Sequence, residues 1–364
     1  MTVTNITPQC WLQQRGQEVP ALLSGSELSK QYTVANLSSA TRPFLQDPGS
    51  FQVMRTTVAL NAAQGAIKSI EAKEEYQKTK RAGDTQGSIS AAFHLVARLF
   101  QTLGGAVGGV AASLAGFCIT HKVPMAIGAV IAVGAAAFWL GIVSSILIGV
   151  FYVFIALRRE HEREEINLLK QSLGENPIES LLEKLKSEET FLKEITRYER
   201  LLGKATAVAL VRLSLGEQTE ELQQSVTEGI KALGMKKLMG KATMSVCLMG
   251  LVSITLTALT ACGVIVIAPW LLIALPFIVG CGWVLIDGKA LLDALDTQAC
   301  RKRDLVTNGL HTLLVIGVTI GALFFATTPL ALVLITLFGA FSLLINAIVF
   351  YKQFRKQTIA KLTS

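Results

Sequence analysis

Charged side chains are scarce in this chain, and they are almost missing from its three longest apolar stretches. The chain has 34 Lys and Arg and 26 Asp and Glu, and of these only Lys122 lies within residues 103–157, 243–286 or 310–351. Charged residues make up 16% of the chain, whereas about 25% is usual in soluble domains. A large water-soluble core is therefore excluded, and we expect an integral membrane protein.

The chain also lacks the local motifs of most site chemistries. Its cysteines show no CxxC spacing, and the run His161-Glu162-Arg163-Glu164-Glu165 misses the second histidine of the HExxH helix of metalloproteases. We interpret that run as a solvated helix face. The sequence offers no Ser/His/Asp or Cys/His arrangement and no arginine-rich patch with interleaved aromatics. We therefore predict no catalytic residues, no cofactor or metal site and no nucleic-acid binding.

Each apolar stretch is about twice as long as the roughly 20 residues that one helix needs to cross a bilayer. Polar residues or prolines interrupt the stretches at residues 121–124, at Pro269 and at residues 327–329. We predict an all-α polytopic membrane protein with about six transmembrane helices in three hairpins. The second helix, residues 123–157, is too long for one straight crossing. It tilts, extends past the bilayer, or bends near Gly128 or Gly134.

The basic residues predict the orientation of these hairpins. Of the 34 Lys and Arg, 33 lie outside the apolar stretches. Because Lys and Arg in short flanks stay on the cytosolic side, we expect both termini and both linkers there, with the three tips opposite. Basic residues beside the helices, such as Arg158, Arg159 and Arg163, fit ordinary stop-transfer charges. The first basic residue is Arg15, so we expect no cleaved secretory signal peptide.

These patterns divide the chain into seven parts. The predicted parts are a polar and partly disordered N-terminal region with an amphipathic helix (1–100), hairpin one (101–157), a cytosolic helical linker (158–241), hairpin two (242–286), a short amphipathic linker (287–309), hairpin three (310–351) and a basic tail (352–364).

The linker 158–241 contains a seam of about three imperfect heptads. Its apolar members fall on alternating three- and four-residue steps, while Glu188 and Glu199 occupy two further positions. Two arrangements fit this seam. One is a helical hairpin within the chain, with turns at residues 174–177 and 215–216, and the other is a coiled coil with a partner. The predicted partner-binding residues of the seam are Leu181, Leu185, Leu192, Ile195 and Leu202.

A stripe of glycines occupies the first hairpin. Its members form overlapping small-xxx-small patterns, which let helix backbones approach closely in lipid. Packing within the hairpin and homo-oligomerisation both explain the pattern. The predicted helix-packing residues are Gly104, Gly105, Gly108, Gly109 and Gly116.

A short acidic and apolar motif lies in the second linker. Residues 290–296 resemble the core of an FFAT motif, which binds receptors on the endoplasmic reticulum, although a leucine stands where that pattern has an aromatic. An amphipathic interfacial helix fits the same residues. The candidate partner-binding residues here are Leu291, Asp293, Ala294 and Asp296.

Paired membrane helices with very short tips, a polar N-terminus and a coiled-coil-like cytosolic segment together resemble the chlamydial inclusion membrane proteins. That family is defined by a bilobed hydrophobic motif, which residues 103–157, 243–286 and 310–351 match as a pattern. The resemblance implies type III secretion into the membrane of a pathogen-occupied vacuole. It also implies that the soluble parts face host cytosol and bind host cytosolic or organelle-membrane proteins.

Two functions from different classes are consistent with the sequence. The first is a non-enzymatic scaffold, anchored in the lipid bilayer, that recruits host proteins or shapes the membrane. The second is a channel, translocator or transporter-like protein of a bacterial inner membrane. A dry, glycine-packed bundle with protruding helices would favour the scaffold, and a continuous water-accessible path would favour the channel.

Overall fold

The computed structural model describes residues 48–120, 127–186 and 188–261, together with isolated positions between 264 and 351. Every regular element in this part of the chain is a helix, so the prediction of an all-α fold is confirmed there. The helices are α1 (Pro48–Arg81), α2 (Thr85–Thr120), α3 (Ile127–Ser172), α4 (Pro177–Leu185), α5 (Glu188–Leu202), α6 (Lys204–Ser214) and α7 (Glu220–Ala261).

Helices α1 and α2 form an antiparallel pair joined by a tight turn. Gly83 has a φ of 71°, a left-handed conformation that glycine adopts without steric cost. Further along, Ala62 of α1 lies against Gly105 of α2, and Val58 lies against Gly108. The region that we predicted to be polar and N-terminal thus contributes one long helix, packed along the first apolar helix.

Helices α2 and α3 form the first predicted hairpin. Ser144 of α3 donates a hydrogen bond of 2.7 Å from its Oγ to the carbonyl oxygen of Gly104, which satisfies a hydroxyl within an otherwise apolar interface. Ile148 packs against the same glycine, and Ser144 also faces Gly108. The order of these contacts shows that the two helices run antiparallel.

Helix α3 continues without interruption from Ile127 to Ser172. At 1.5 Å per residue its length is about 69 Å. This is more than twice the roughly 30 Å of a hydrocarbon core, and the helix continues past the predicted boundary at residue 157. The predicted boundaries at 100/101, 157/158 and 241/242 all fall inside continuous helices, namely α2, α3 and α7.

Three helices in the described part are long and apolar enough to cross a membrane. The candidate spans are Thr85–Phe117, Ala132–Ser172 and Glu220–Leu256. The large apolar side chains exposed on the apolar part of α3, before Arg158, are Trp139, Val143, Ile146, Val153 and Leu157. They follow steps of three, four or seven residues, so they form one stripe on the helix, as expected for a face that meets lipid.

The segment that joins the apolar part of α3 to the apolar part of α7 folds into a compact unit, which we call the helical module (residues 158–241). Its core joins residues of all five helices α3 to α7, among them Leu169, Leu181, Tyr198, Leu210 and Val226, all fully or almost fully buried. The chain turns after α3 and after α6, at the two predicted places. It also breaks between α4 and α5 and at Gly203, whose φ is 99°, so the module contains more than one hairpin.

The second half of predicted hairpin two touches the first half at a few described positions. Positions 281–283, 285 and 286 are helical, and Val279 and Ile286 are buried against Val246 of α7. The remainder of hairpins two and three lies outside the described residues, apart from isolated helical positions.

Candidate functional site

Buried charged residues are concentrated where the α1–α2 turn meets α3, α5 and α7. Arg200 of α5 lies at the centre of this region. Its Nη2 donates hydrogen bonds of 2.8 Å to Asp84 Oδ2 and 2.6 Å to Glu165 Oε1, and its Nη1 donates to the other oxygen of Glu165. Asp84 is 3% and Glu165 1% exposed. One guanidinium therefore pairs with two buried carboxylates, one from the α1–α2 turn and one from α3.

Local sequence places Asp84 where it can do this. It precedes the first residue of α2, and its Oδ1 accepts a hydrogen bond of 3.0 Å from the backbone N–H of Gly87, as a helix N-cap does. A Cβ on Gly87 would lie 2.8 Å from Arg200 Nη2 and closer still to the Asp84 carboxylate. Glycine at this position therefore permits the close approach of α5 to the turn.

A second group of ion pairs centres on Arg158 and Glu162 of α3. Arg158 donates to Glu75 of α1, with distances of 3.1 and 3.2 Å to its two oxygens, and to Glu162 at 2.9 Å. Arg159 also donates to Glu162, at 2.6 Å. His94 of α2 approaches Glu75, with 3.6 Å between Nδ1 and Oε2. These contacts connect α1 and α2 to the middle of α3.

Helix α7 contributes Lys236 to the same region. Its ammonium donates to the carbonyl oxygens of Arg200 and Leu201, which belong to the last turn of α5 and have no partner within that helix. Its neighbour Lys237 donates to Asn167 of α3 at 2.8 Å. Lys78 of α1 and Glu199 of α5 complete the group at its solvent edge, with 2.6 Å between their charged atoms.

We call these residues the ionic layer. Its members are Glu75, Lys78, Asp84, Arg158, Arg159, Glu162, Glu165, Glu199, Arg200 and Lys236. The layer joins α1, the α1–α2 turn, α3, α5 and α7, and it lies at the end of the helical module that is next to the apolar helix segments. It corrects our interpretation of residues 161–165 as a solvated face, because Glu162 and Glu165 are buried. Arg158 likewise is a paired and nearly buried residue, in addition to flanking an apolar segment.

The electrostatics of Arg200 follow from its neighbours. Burial opposes its charge, but the hydrogen bonds and charges of Glu165 and then Asp84 outweigh burial, so the pKa of the guanidinium is raised above its ordinary value. The group therefore stays charged at any pH at which the protein is folded. This arrangement suits a permanent structural pairing and leaves no proton for acid–base chemistry at Arg200.

An aromatic cluster lies directly on the apolar side of the ionic layer. Phe154 of α3 packs against Phe93 and Phe100 of α2, with ring centroids 5.8 and 6.1 Å apart. Arg98 lies over the ring of Phe151, 5.5 Å from its centroid, and its Nη1 donates to Gln101 at 2.7 Å. Tight ring packing therefore continues the interface from the ionic layer into the apolar segments.

The predicted seam of the linker is divided between two helices. Leu181 and Leu185 lie on α4, whereas the other three residues lie on α5. Leu181, Leu185 and Leu202 belong to the module core, and Ile195 packs against it half-buried. Leu192 is 57% exposed. The seam thus contributes most of its side chains to contacts within the chain and presents Leu192 to the outside.

The glycine stripe serves two interfaces within the chain. Gly104 and Gly108 lie against Ile148 and Ser144 of α3, whereas Gly105 lies against α1. Gly109 has more room, because a Cβ there would lie 3.8 Å from Val58 Cγ1. Gly116 is half-buried near the end of α2. Leu291, Asp293, Ala294 and Asp296 of the FFAT-like segment lie outside the described residues.

Among the described residues, no three His, Cys, Asp or Glu side chains are grouped so that they could hold a metal ion. Sequence reasoning missed the ionic layer because its pairs are distant in the chain. Glu75 and Arg158 are 83 residues apart, and Asp84 and Arg200 are 116 residues apart. The local signals were the spacings of Arg158 and Arg159 to Glu162, which favour pairs on one helix face.

Comparison with protein-family models, with curated proteins and with solved structures gave no match to this chain. The function must therefore be argued from the arrangement of its own residues.

The two roles of Asp84 can be separated by substitution. Asp84→Asn keeps an oxygen that can accept the Gly87 hydrogen bond but removes the charge facing Arg200, whereas Asp84→Ala removes both. Loss of an N-cap costs about 0.5–2 kcal/mol, so we expect Asp84→Ala to lower the unfolding midpoint further than Asp84→Asn. Circular dichroism during thermal unfolding in detergent measures both midpoints. Equal midpoints would show that the cap contributes nothing.

Proposed function

We propose that the chain is a non-enzymatic membrane scaffold that holds the helical module against the cytosolic face of a bilayer, where the module binds protein partners. The observation that carries this proposal is the continuity of α3 and α7. Each runs from an apolar candidate span, through the ionic layer, into the core of the module. No flexible linker separates the module from these spans, so its position is fixed relative to the membrane.

The packing of the apolar segments favours a scaffold over a channel. Gly104 and Gly105 bring α2 into close contact with α3 on one side and α1 on the other, and the rings of Phe93, Phe100 and Phe154 pack together just below. Close-packed helices and stacked rings suit an anchor. We further propose that hairpins two and three complete about six spans.

The location of this scaffold follows from the family resemblance. By analogy with the chlamydial inclusion membrane proteins, the proposed location is the membrane of a pathogen-occupied vacuole, reached by type III secretion. The partners would then be host cytosolic or organelle-membrane proteins, and recruitment of those proteins or shaping of the membrane would be the outcome.

A protease-protection experiment tests the proposal. A tag inserted between α6 and α7, in the exposed residues 217–219, is followed in infected or transfected cells after selective permeabilisation of the plasma membrane. We expect the tag to be cleaved in the carbonate-resistant membrane fraction of the vacuole. Retention of the chain in the bacterial envelope would refute the secreted scaffold and would make ion flux in reconstituted vesicles the next assay.

The partner surface of the module is predicted to include Leu192. Leu192→Glu should reduce binding of cross-linked partners and change stability by no more than about 0.5 kcal/mol, because the side chain is exposed. Leu181→Ala, in the module core, should instead cost about 2–5 kcal/mol. Quantitative mass spectrometry of cross-linked complexes, together with thermal unfolding, separates the two effects. If Leu192→Glu left every cross-linked protein at its wild-type level, Leu192 would not be part of the surface.

A further inference from the structure

Helix α1 lies alongside a candidate span although it is not one of the three apolar helices. Along α1, Gly65, Ala62 and Val58 lie against successive positions of α2, ending at Gly108. The approach is close, because a Cβ on Gly105 would lie 2.7 Å from the backbone nitrogen of Ala62. The two backbones are therefore in contact within the segment Thr85–Phe117 that is apolar enough to cross a membrane.

The start of α1 is level with the end of α2. Val58 and Gly108 lie side by side, and Pro48 precedes Val58 by ten residues, which is about 15 Å of helix. In the antiparallel pair this places Pro48 about level with residue 118 of α2, which ends at Thr120. A bilayer that surrounds the apolar second half of α2, up to its end at Thr120, must therefore also surround the first half of α1.

The charged residues of α1 are concentrated in its second half, away from the end that lies beside the end of α2. In the twenty residues from Pro48 to Ile67, only Arg55 is charged, whereas Lys68–Arg81 contains five basic and three acidic residues. Twenty helical residues span about 30 Å, the thickness of the hydrocarbon core. The charged half carries Glu75, which meets Arg158 at the end of the apolar part of α3. The helices α1 and α3 thus become charged on the same side of the bundle.

We propose that Pro48–Ile67 of α1 crosses the bilayer beside α2, with its outer face against lipid acyl chains. Pro48 then lies on the membrane side opposite the helical module. This inference rests on the proposed membrane function. It departs from the orientation that we predicted from the basic residues, which placed the N-terminal region and the module on one side. Residues 1–47 contain only three basic residues, so few positive charges retain them in the cytosol.

The polar residues of this segment explain why its hydropathy is low. Asn, Gln and Thr are tolerated in membrane helices that pack against neighbouring helices, especially where small residues allow close approach. Arg55 is seven residues from the start of α1, about 10 Å along the helix, and a basic residue near a helix end costs much less than one at the bilayer centre. The segment is therefore compatible with lipid when α2 covers one face.

Four single-cysteine reporters in a cysteine-free variant of the full chain test the inference. Ser50→Cys marks the start of α1, Ala59→Cys an exposed position near the middle of the proposed crossing, Lys73→Cys an exposed position in the charged half, and Gln171→Cys the exposed end of α3. A membrane-impermeant maleimide is added to sealed membranes before and after detergent. If the cysteine-free chain does not fold, a protease-cleavable tag before Pro48 in the wild-type chain replaces the Ser50 reporter.

We expect Ser50→Cys to react from the side opposite to Gln171→Cys, and Lys73→Cys to react from the same side as Gln171→Cys. Ala59→Cys should react at least about tenfold more slowly than Lys73→Cys until detergent is added, because lipid disfavours the reactive thiolate. Reaction of Ser50→Cys and Ala59→Cys from the module side would overturn the inference, and the scaffold would stand if that side were cytosolic. A third outcome is that Ser50→Cys and Gln171→Cys react from opposite sides but Gln171→Cys faces away from the cytosol. That result would support the inference and refute the orientation in the proposed function.

Discussion

Arg200→Met is expected to lower the free energy of unfolding by about 3–5 kcal/mol, the range found when one partner of a buried ion pair is removed. Arg200 is the shared partner of Glu165 and Asp84, which are 1% and 3% exposed. Methionine fills similar space but donates no hydrogen bond, so both carboxylates would remain buried without their cation. Denaturant titration in detergent, followed by circular dichroism, measures the change.

A matched control for Arg200 exists in the same module. Arg212 pairs with Glu217 at 2.6 Å, and both side chains are about half exposed. Arg212→Met should change stability by less than about 1 kcal/mol, because exposed ion pairs contribute little. The double variant Arg200→Met/Glu165→Met should be more stable than Arg200→Met alone, since it removes one of the two uncompensated charges. Equal losses for Arg200→Met and Arg212→Met would show that the ionic layer is not energetically important.

Gly105→Ala is the second substitution for which we expect a large effect. Overpacking should lower the free energy of unfolding by about 1–3 kcal/mol. The added Cβ would lie 2.7 Å from the nitrogen and 2.9 Å from the Cα of Ala62. Since these are backbone atoms, α1 must move away from α2 as a whole. The measurement is the unfolding midpoint in detergent, with the rate of proteolysis of α1 as a second observable.

Gly109→Ala provides the comparison on the same helix. There the new Cβ would lie 3.8 Å from the side chain of Val58, an ordinary contact, so we expect the protein to keep its stability. The pair of variants also separates the two explanations of the glycine stripe. If the stripe mediated homo-oligomerisation, both substitutions would change the oligomeric state measured by light scattering. Packing within the chain predicts a stability loss for Gly105→Ala alone.

The apolar pattern predicted the helical class because its cause is local. Lipid offers no hydrogen-bond partners, so every backbone N–H and C=O must be paired within the segment. Long uncharged stretches such as those of α2 and α3 therefore form helices. The turns at residues 174–177 and 215–216 were also predictable, since Pro177 begins α4 and Gly216 has a φ of 93°. The end of the second apolar helix at residue 157 was predicted wrongly, because residues 158–172 continue α3 as a helix stabilised by pairs such as Arg158–Glu162.

The candidate site was visible in the sequence only as isolated charges. Glu165 looked like part of a solvated run, yet it is buried because Arg200 on α5 and the α1–α2 turn cover it. Leu181 and Leu192 looked equivalent in a heptad seam, yet one is in the core and the other is exposed. Such distinctions depend on which helix packs on which, and the spacing within one segment does not contain that information.

The sequence by itself determined that the described part of the chain is helical and that three of its helices can cross a membrane, because hydropathy and backbone hydrogen bonding act within one continuous segment. Only the tertiary structure decided that charges up to 121 residues apart pair within one ionic layer. It also decided that α1 accompanies α2 into the apolar region. Both features depend on long-range packing, in which a glycine such as Gly105 and a pair such as Asp84–Arg200 select one arrangement among many that the same hydropathy pattern permits.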